Sequence, residues 1–349
     1  LFGSVSYYPV KLSFLFFIFP LIPPIDYFSF CLSLEINPHL NFMLKTIFLL
    51  ILGLIVLPLV AWNYDAPLSF EQKTMLFNAL RVMVGVALLC FITGEITGNV
   101  SQTDKLWSIM PIAYTWYFAW AGYWDVRMVL MAVLATAWGL RLSYNFWRRG
   151  GYHWMPWRGE EDYRWAVLRK MPLLQGRLRW GLFNLFFICF YQQGLILLFT
   201  LPAVMAWYGR GEPLNGMDIV ATLLLLALLV FETIADQQQY RFQTEKYRLI
   251  AAKEPLSGEF AEGFCHSGLW TKIRHPNYAA EQGIWLAFYL FSVAATGRWI
   301  NGSLVGAVLL MLLFQGSSDF SEKISAGKYP GYREYQRKTG RFIPKITGR

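Results

Sequence analysis

The chain has 349 residues, of which 56% are apolar, 18% aromatic and only 15% charged, with a formal net charge of +9. That balance excludes an ordinary soluble domain and describes a polytopic membrane protein. The positive charge would suit nucleic acid, but no recognisable binding motif accompanies it, so nucleic acid is not an expected partner.

In chain order, residues 1–42 carry scattered prolines (Pro9, Pro20, Pro23, Pro24, Pro38) without helical phasing. They are expected to be a poorly defined extension, either an extra membrane segment around Val10 to Ile25 or a gene-model artefact. Met43-Leu-Lys45 then opens a clean apolar run, like a natural start followed by a signal anchor, and 43–349 is expected to be a single membrane domain. No small-x-small cleavage site stands out after that run. Runs near the ~20 residues that span a hydrocarbon core fall at Thr46 to Trp62, Met75 to Gly94, Leu106 to Trp124, Val126 to Ser143, Gly181 to Pro202, Met217 to Ala235, Glu281 to Gly297 and Trp299 to Gly316. They predict an all-α, polytopic transmembrane bundle of about seven to eight helices whose cytosolic loops form a cofactor site.

Lysine and arginine concentrate in alternate connections: eight lie between Tyr144 and Trp180, six between Asp236 and Ala280, and eight after Gly316. The opposite set holds only Lys73, Arg127, Arg210 and Arg298. This is the positive-inside pattern and predicts a cytosolic C-terminus. The expected location is the endoplasmic reticulum or another endomembrane in a eukaryote, or the inner membrane in a bacterium. The four cysteines, Cys31, Cys90, Cys189 and Cys265, lie far apart and define no disulfide framework. Cys265, His266 and His275 offer three metal ligands without a fourth nearby, so no metal is expected.

Three polar patterns stand at the cytosolic ends. Arg141, Tyr144 with Asn145, and Arg148 recur at helical spacing, giving a polar face suited to phosphate, or to snorkelling toward lipid headgroups. Glu160-Glu-Asp-Tyr-Arg-Trp165 reads as a solvated loop. Glu232, Asp236, Gln239 and Gln243 draw one stripe at i, i+4, i+7 and i+11, and a carboxylate at the bilayer boundary is a functional candidate. Asp236 is suited to a ribose hydroxyl or to orienting an arginine such as Arg241; its plain reading is a helix end meeting water. In Gly268 to Glu281, Pro276 fits a first helical turn, which puts Asn277 and Glu281 one turn apart on one face. One amide and one carboxylate match the donors and acceptor of a carboxamide. Arg274, His275 and the helix N-terminus offer positive potential for a pyrophosphate, whereas His275 and Tyr278 also suit interfacial anchoring. In the tail, Lys328, Tyr329 and Tyr335 flank a Pro-Gly turn and read equally as a lid over a nucleotide or as a basic surface helix.

The block Arg274-His275-Pro-Asn277-Tyr278 with Glu281, and the tail Lys328-Tyr329, Tyr335 and Phe342-Ile-Pro344, resemble the C-terminal signature of the steroid 5-alpha-reductase superfamily and of the related sterol C=C reductases. The order of parts matches across roughly Leu106 to Pro344. The resemblance implies a membrane helix bundle whose cytosolic loops enclose NADPH while a lipid or sterol-like substrate enters from the bilayer. It implies nicotinamide-side contacts from Asn277 and Glu281, an acid at Asp236, and a tyrosine facing the cofactor at Tyr144. Phe320-Ser321-Glu322 keeps only the acid of the sterol reductases' Arg-Asp-Glu run. The expected function is therefore NADPH-dependent reduction of a lipid carbon–carbon double bond, with Tyr114, Tyr117, Tyr144 or Tyr191 as proton donor. The alternatives are an S-adenosylmethionine-dependent methyltransferase of the isoprenylcysteine carboxyl type and a non-enzymatic sterol-binding membrane protein.

Overall fold

Helix α1, Phe70–Thr97, starts where Ser69 and Gln72 exchange side-chain and backbone hydrogen bonds in a capping box, and it stops at Gly98 in the left-handed region. It is the first full element of a computed structural model that describes residues 55, 56, 59, 67–155 and 158–345. Residues 1–42, and the expected span at 46–62 apart from 55, 56 and 59, lie outside the described residues.

Two shorter helices follow, α2 at Gln102–Leu106 and α3 at Met110–Ala121. The run expected from Leu106 to Trp124 is not one continuous helix: α3 has 12 residues, about 18 Å at ~1.5 Å each against a hydrocarbon core of about 30 Å, so α2, the turn at 107–109 and α3 share the passage from one end of the bundle to the other. Tyr123 and Trp124, both at positive φ, turn the chain into α4, Val126–Trp147, which Asp125 caps through the backbone N–H groups of Arg127 and Met128. The loop beyond carries α5, Tyr163–Arg169. A continuous helix, α6, then runs Arg177–Gly209, widening to π geometry at Asn184–Tyr191.

Helix α7, Gly216–Ala252, has 37 residues, or about 55 Å, so nearly half of it, from about Asp236 onward, exceeds a ~30 Å core. After the short α8, Gly258–Glu262, come α9, Pro276–Thr296, α10, Leu304–Lys328, and α11, Tyr332–Lys338. The fold is an all-helical polytopic bundle: α1, α4, α6, α7 and α10 are long and apolar enough to cross a membrane. Among the described residues no strand forms, and a lone parallel bridge joins Ile273 to Gly340.

Helix α9 packs lengthwise on α7 and is buried on most of its circumference, including Trp285, Phe288 and Phe291. It continues the core built by Tyr114, Phe118, Met131 and Trp138 from α3 and α4. The outer faces carry the reverse pattern, with Phe77, Leu89 and Ile92 of α1 and Ile219, Leu223 and Val230 of α7 exposed, as lipid contact requires.

One end is knotted. Arg127, 1% exposed, donates to both oxygens of Asp218 at 2.8 and 2.9 Å and to the carbonyls of Gly209 and Pro213. The opposite end, where the basic loops gather, holds the polar side chains.

Candidate functional site

The site forms where the last turns of α4, the emerging part of α7 and the first turns of α9 meet. Arg141 is its centre. Its Nη1 donates to Asp236 Oδ2 at 2.6 Å, it is ion-paired with Glu232, and its Nη2 stands 3.9 Å from Glu281. Asp236 also accepts from Asn145 Nδ2 at 2.8 Å and from Asn277 Nδ2 at 3.0 Å, with Arg149 3.8 Å away. Three helices are thus tied at one carboxylate that is 3% exposed. Burying such a group costs several kcal/mol unless it is paired, and here the pairing is complete.

Three carboxyl groups, Glu232, Asp236 and Glu281, gather around one central guanidinium, with Arg149 also 3.8 Å from Asp236, so the inner face of the site is lined with acidic oxygens. Just outside, arginines take over. Arg148 lies over the Tyr240 ring at 4.2 Å and bonds Asn145 and Gln237. Burial, and then the neighbouring Arg149, pull its pKa below the usual arginine value. Arg149 keeps nearly half of its side chain exposed.

From the loop between α4 and α6, Asp162 caps α5 and holds Arg164 in a two-pronged pair at 2.8 Å, while Arg164 Nη1 reaches Ser317 Oγ of α10 at 2.6 Å. Burial alone would push the Asp162 carboxyl up; the Arg164 bonds outweigh it and hold the group below its ordinary value.

Asn277 and Glu281 lie one turn apart on α9, as the spacing predicts, but they occupy different layers. Asn277 is partly exposed; its Nδ2 bonds Asp236 and its Oδ1 accepts its neighbour's backbone N–H, leaving one N–H and one lone pair. Glu281 is buried, and its oxygens accept the indole N–H groups of Trp138 at 2.8 Å and Trp285 at 3.1 Å. Arg274 and His275 have another occupation: they grip the tail. Arg274 donates to both oxygens of Glu322, at 2.7 and 3.2 Å, and to the carbonyls of Gln336 and Thr339, while His275 Nε2 lies 2.9 Å from Glu322.

Tyr278 stacks on the His275 ring with centroids 5.3 Å apart. Tyr144 points outward beside Trp147 and is 59% exposed, because it stands about 100° around the helix from Asn145. Arg241 is exposed, and the arginine that Asp236 holds is Arg141. Lys328 lies near the Tyr329 ring at 5.3 Å; Tyr329 and Tyr335 pack against Phe264, and the Tyr335 hydroxyl donates to the Trp270 carbonyl. Of the four candidate proton donors, Tyr117 receives a hydrogen bond from Asn78 and Tyr191 is buried, whereas the Tyr114 hydroxyl is buried without a partner.

The sequence patterns did not mark Trp138, Asp162, Arg164 or Trp285 as site residues, and marked Glu322 only as the retained acid of the reductase run. Two of these had a readable signal: Trp138 precedes Arg141 by three residues and Asn145 by seven on one helix face, and Trp285 follows Glu281 by four. Arg164 had none, because only the fold carries its loop to Ser317.

The family described as "Protein of unknown function (DUF1295)" matches residues 90–339, a range that holds every side chain of the central cluster. The chain belongs to the DUF1295 family. It is also 37% identical, over 291 residues, to an uncharacterised protein of Schizosaccharomyces pombe, covering 78% of this chain and 82% of that protein. No solved structure matches. This DUF1295 protein thus combines a polytopic bundle with a buried Arg141–Asp236–Asn277 node beneath a rim of arginines.

Proposed function

We propose that this site binds NADPH and that the protein is a membrane reductase of a carbon–carbon double bond in a lipid or sterol-like substrate. The reading is carried by one arrangement: an acid-lined floor (Glu232, Asp236, Glu281) with arginines (Arg148, Arg149, Arg164) at the same end of the bundle. A dinucleotide has that polarity, with phosphates at one end and a ring that becomes cationic on giving up hydride at the other.

The residues fit the group on their own chemistry. Asn277 keeps one donor and one acceptor for a carboxamide, Arg149 is open for phosphate, and the side-chain carbonyl of Gln239, one turn outward from Asp236, is buried without a partner. The bound cofactor supplies the hydride. The chain's part is to hold the ring against Asn277 and to favour developing positive charge through the acidic oxygens of Asp236 and Glu281. It also delivers a proton to the far carbon, and Tyr114 is the best-placed donor by burial: its unpartnered hydroxyl lies 2% exposed in the same core as Trp138 and Trp285.

The same acid-lined floor suits a sulfonium, so S-adenosylmethionine is the second reading. Thermal protection of the detergent-purified chain by NADPH, NADH and S-adenosylmethionine, measured separately, decides between them. NADPH should raise the melting temperature of the native chain and fail to do so in Asp236→Asn. Protection by S-adenosylmethionine alone would replace the reductase with a methyltransferase.

A further inference from the structure

A second site lies away from the arginine rim, where the end of α1 meets the start of α6. Two adjoining hollows open there, about 270 and 440 Å³, sharing Glu95 as a common wall. The larger is an apolar groove lined by Phe91, Leu178, Leu182 and Leu185, on helices whose outer faces are lipid-exposed. The smaller is capped by Trp180, over which the Arg169 guanidinium lies at 4.7 Å.

Glu95 is out of place by ordinary helix electrostatics. It sits in the last turn of α1, where the aligned peptide dipoles are negative, and that turn has no basic residue to offset it. Among the described residues it pairs with no cation; Asn184, turned toward it from the π segment of α6, donates to Oε1 at 2.8 Å. Arg177, at the mouth of the groove, is exposed and also pairs with no carboxylate among the described residues. A carboxylate and an arginine, neither in an ion pair among the described residues, flank a groove of acyl-chain character at one end of α1 and α6.

We infer that this groove is a specific binding site for a zwitterionic glycerophospholipid, with the headgroup ammonium on Glu95, the phosphate on Arg177 and an acyl chain between α1 and α6. Charge complementarity selects that occupant. An anionic lipid would meet Glu95 with the wrong sign, and a neutral diacylglycerol would leave both charges unanswered. The site stands independently of the cofactor reading.

The fold supplies a blocking variant. A Cβ added at Gly181, on the groove wall, meets no atom within 4 Å, so the backbone there has room for a side chain, and Gly181→Leu places an isobutyl group on the groove wall while replacing a helical glycine with a better helix former. The test is native mass spectrometry of the full purified chain titrated with phosphatidylethanolamine, phosphatidylglycerol or diacylglycerol. The native chain should retain phosphatidylethanolamine over phosphatidylglycerol by about fivefold, the preference one interfacial ion pair supports. Glu95→Gln should bring the two to parity, Arg177→Gln should remove the advantage of phospholipid over diacylglycerol, and Gly181→Leu should lower all three at an unchanged melting temperature. Equal retention of the two phospholipids by the native chain, or undiminished phosphatidylethanolamine in both Glu95→Gln and Gly181→Leu, would overturn the assignment.

Discussion

Arg141 carries a concentrated electrostatic burden, since Glu232, Asp236 and Glu281 all approach it in a region largely withdrawn from water. Replacing it with methionine keeps most of the volume but leaves buried carboxylates without their cation. The expected cost is about 3–5 kcal/mol, read as a lower melting temperature in detergent. Tyr114→Phe belongs to the opposite class. It deletes a hydroxyl that bonds to nothing, so the fold should hold or gain slightly, while turnover should fall by about 100-fold or more if that group delivers the proton. Equal turnover in Tyr114→Phe would move the donor elsewhere.

Among the elements, α6 and α10 meet through a glycine. A Cβ on Gly306 would come within 2.2 Å of the Leu198 backbone, which cannot yield as a side-chain tip can. Gly306→Ala should therefore destabilise by about 1–3 kcal/mol, measurable in the same melting assay. The loop between α4 and α6 responds to acid. The folded pKa of Asp162 is depressed, so its contribution is complete above the unfolded value near 4 and is lost as pH falls through the folded value. Hydrogen exchange in α5 should stay protected at pH 5 and rise only in stronger acid.

These elements also show what the chain announces and what it conceals. The spans near 75–94, 126–143, 181–202 and 217–235 were legible because each is a long apolar run with polar flanks. The run at 106–124 is helical but interrupted, because composition reveals neither the turn at 107–109 nor the two left-handed residues that follow α3. The Asn277–Glu281 spacing was readable, but the indole partners that draw Glu281 inward come from contacts across helices. The grip of Arg274 and His275 on Glu322 spans almost fifty residues of sequence, a separation no local pattern encodes.

For the whole molecule, the basic connections 148–176 and 253–275 and the tail share one end, and the short turns 122–125, 210–215 and 297–303 share the other. With the charge bias of the sequence, this arrangement predicts sidedness. A glycosylation acceptor inserted after Arg210 should be modified in a eukaryotic host, whereas one inserted after Lys253 should not. The reverse result would invert the topology and place the arginine rim away from cytosolic nucleotide.

The clasp of Arg127 on Asp218, Gly209 and Pro213 fixes the far ends of α4, α6 and α7 together. Like tongs riveted at the handle, α4 and α7 are hinged at that clasp, so any widening between them that admits a bilayer molecule must first release the Arg141 and Asn145 bonds to Asp236 at the opposite end.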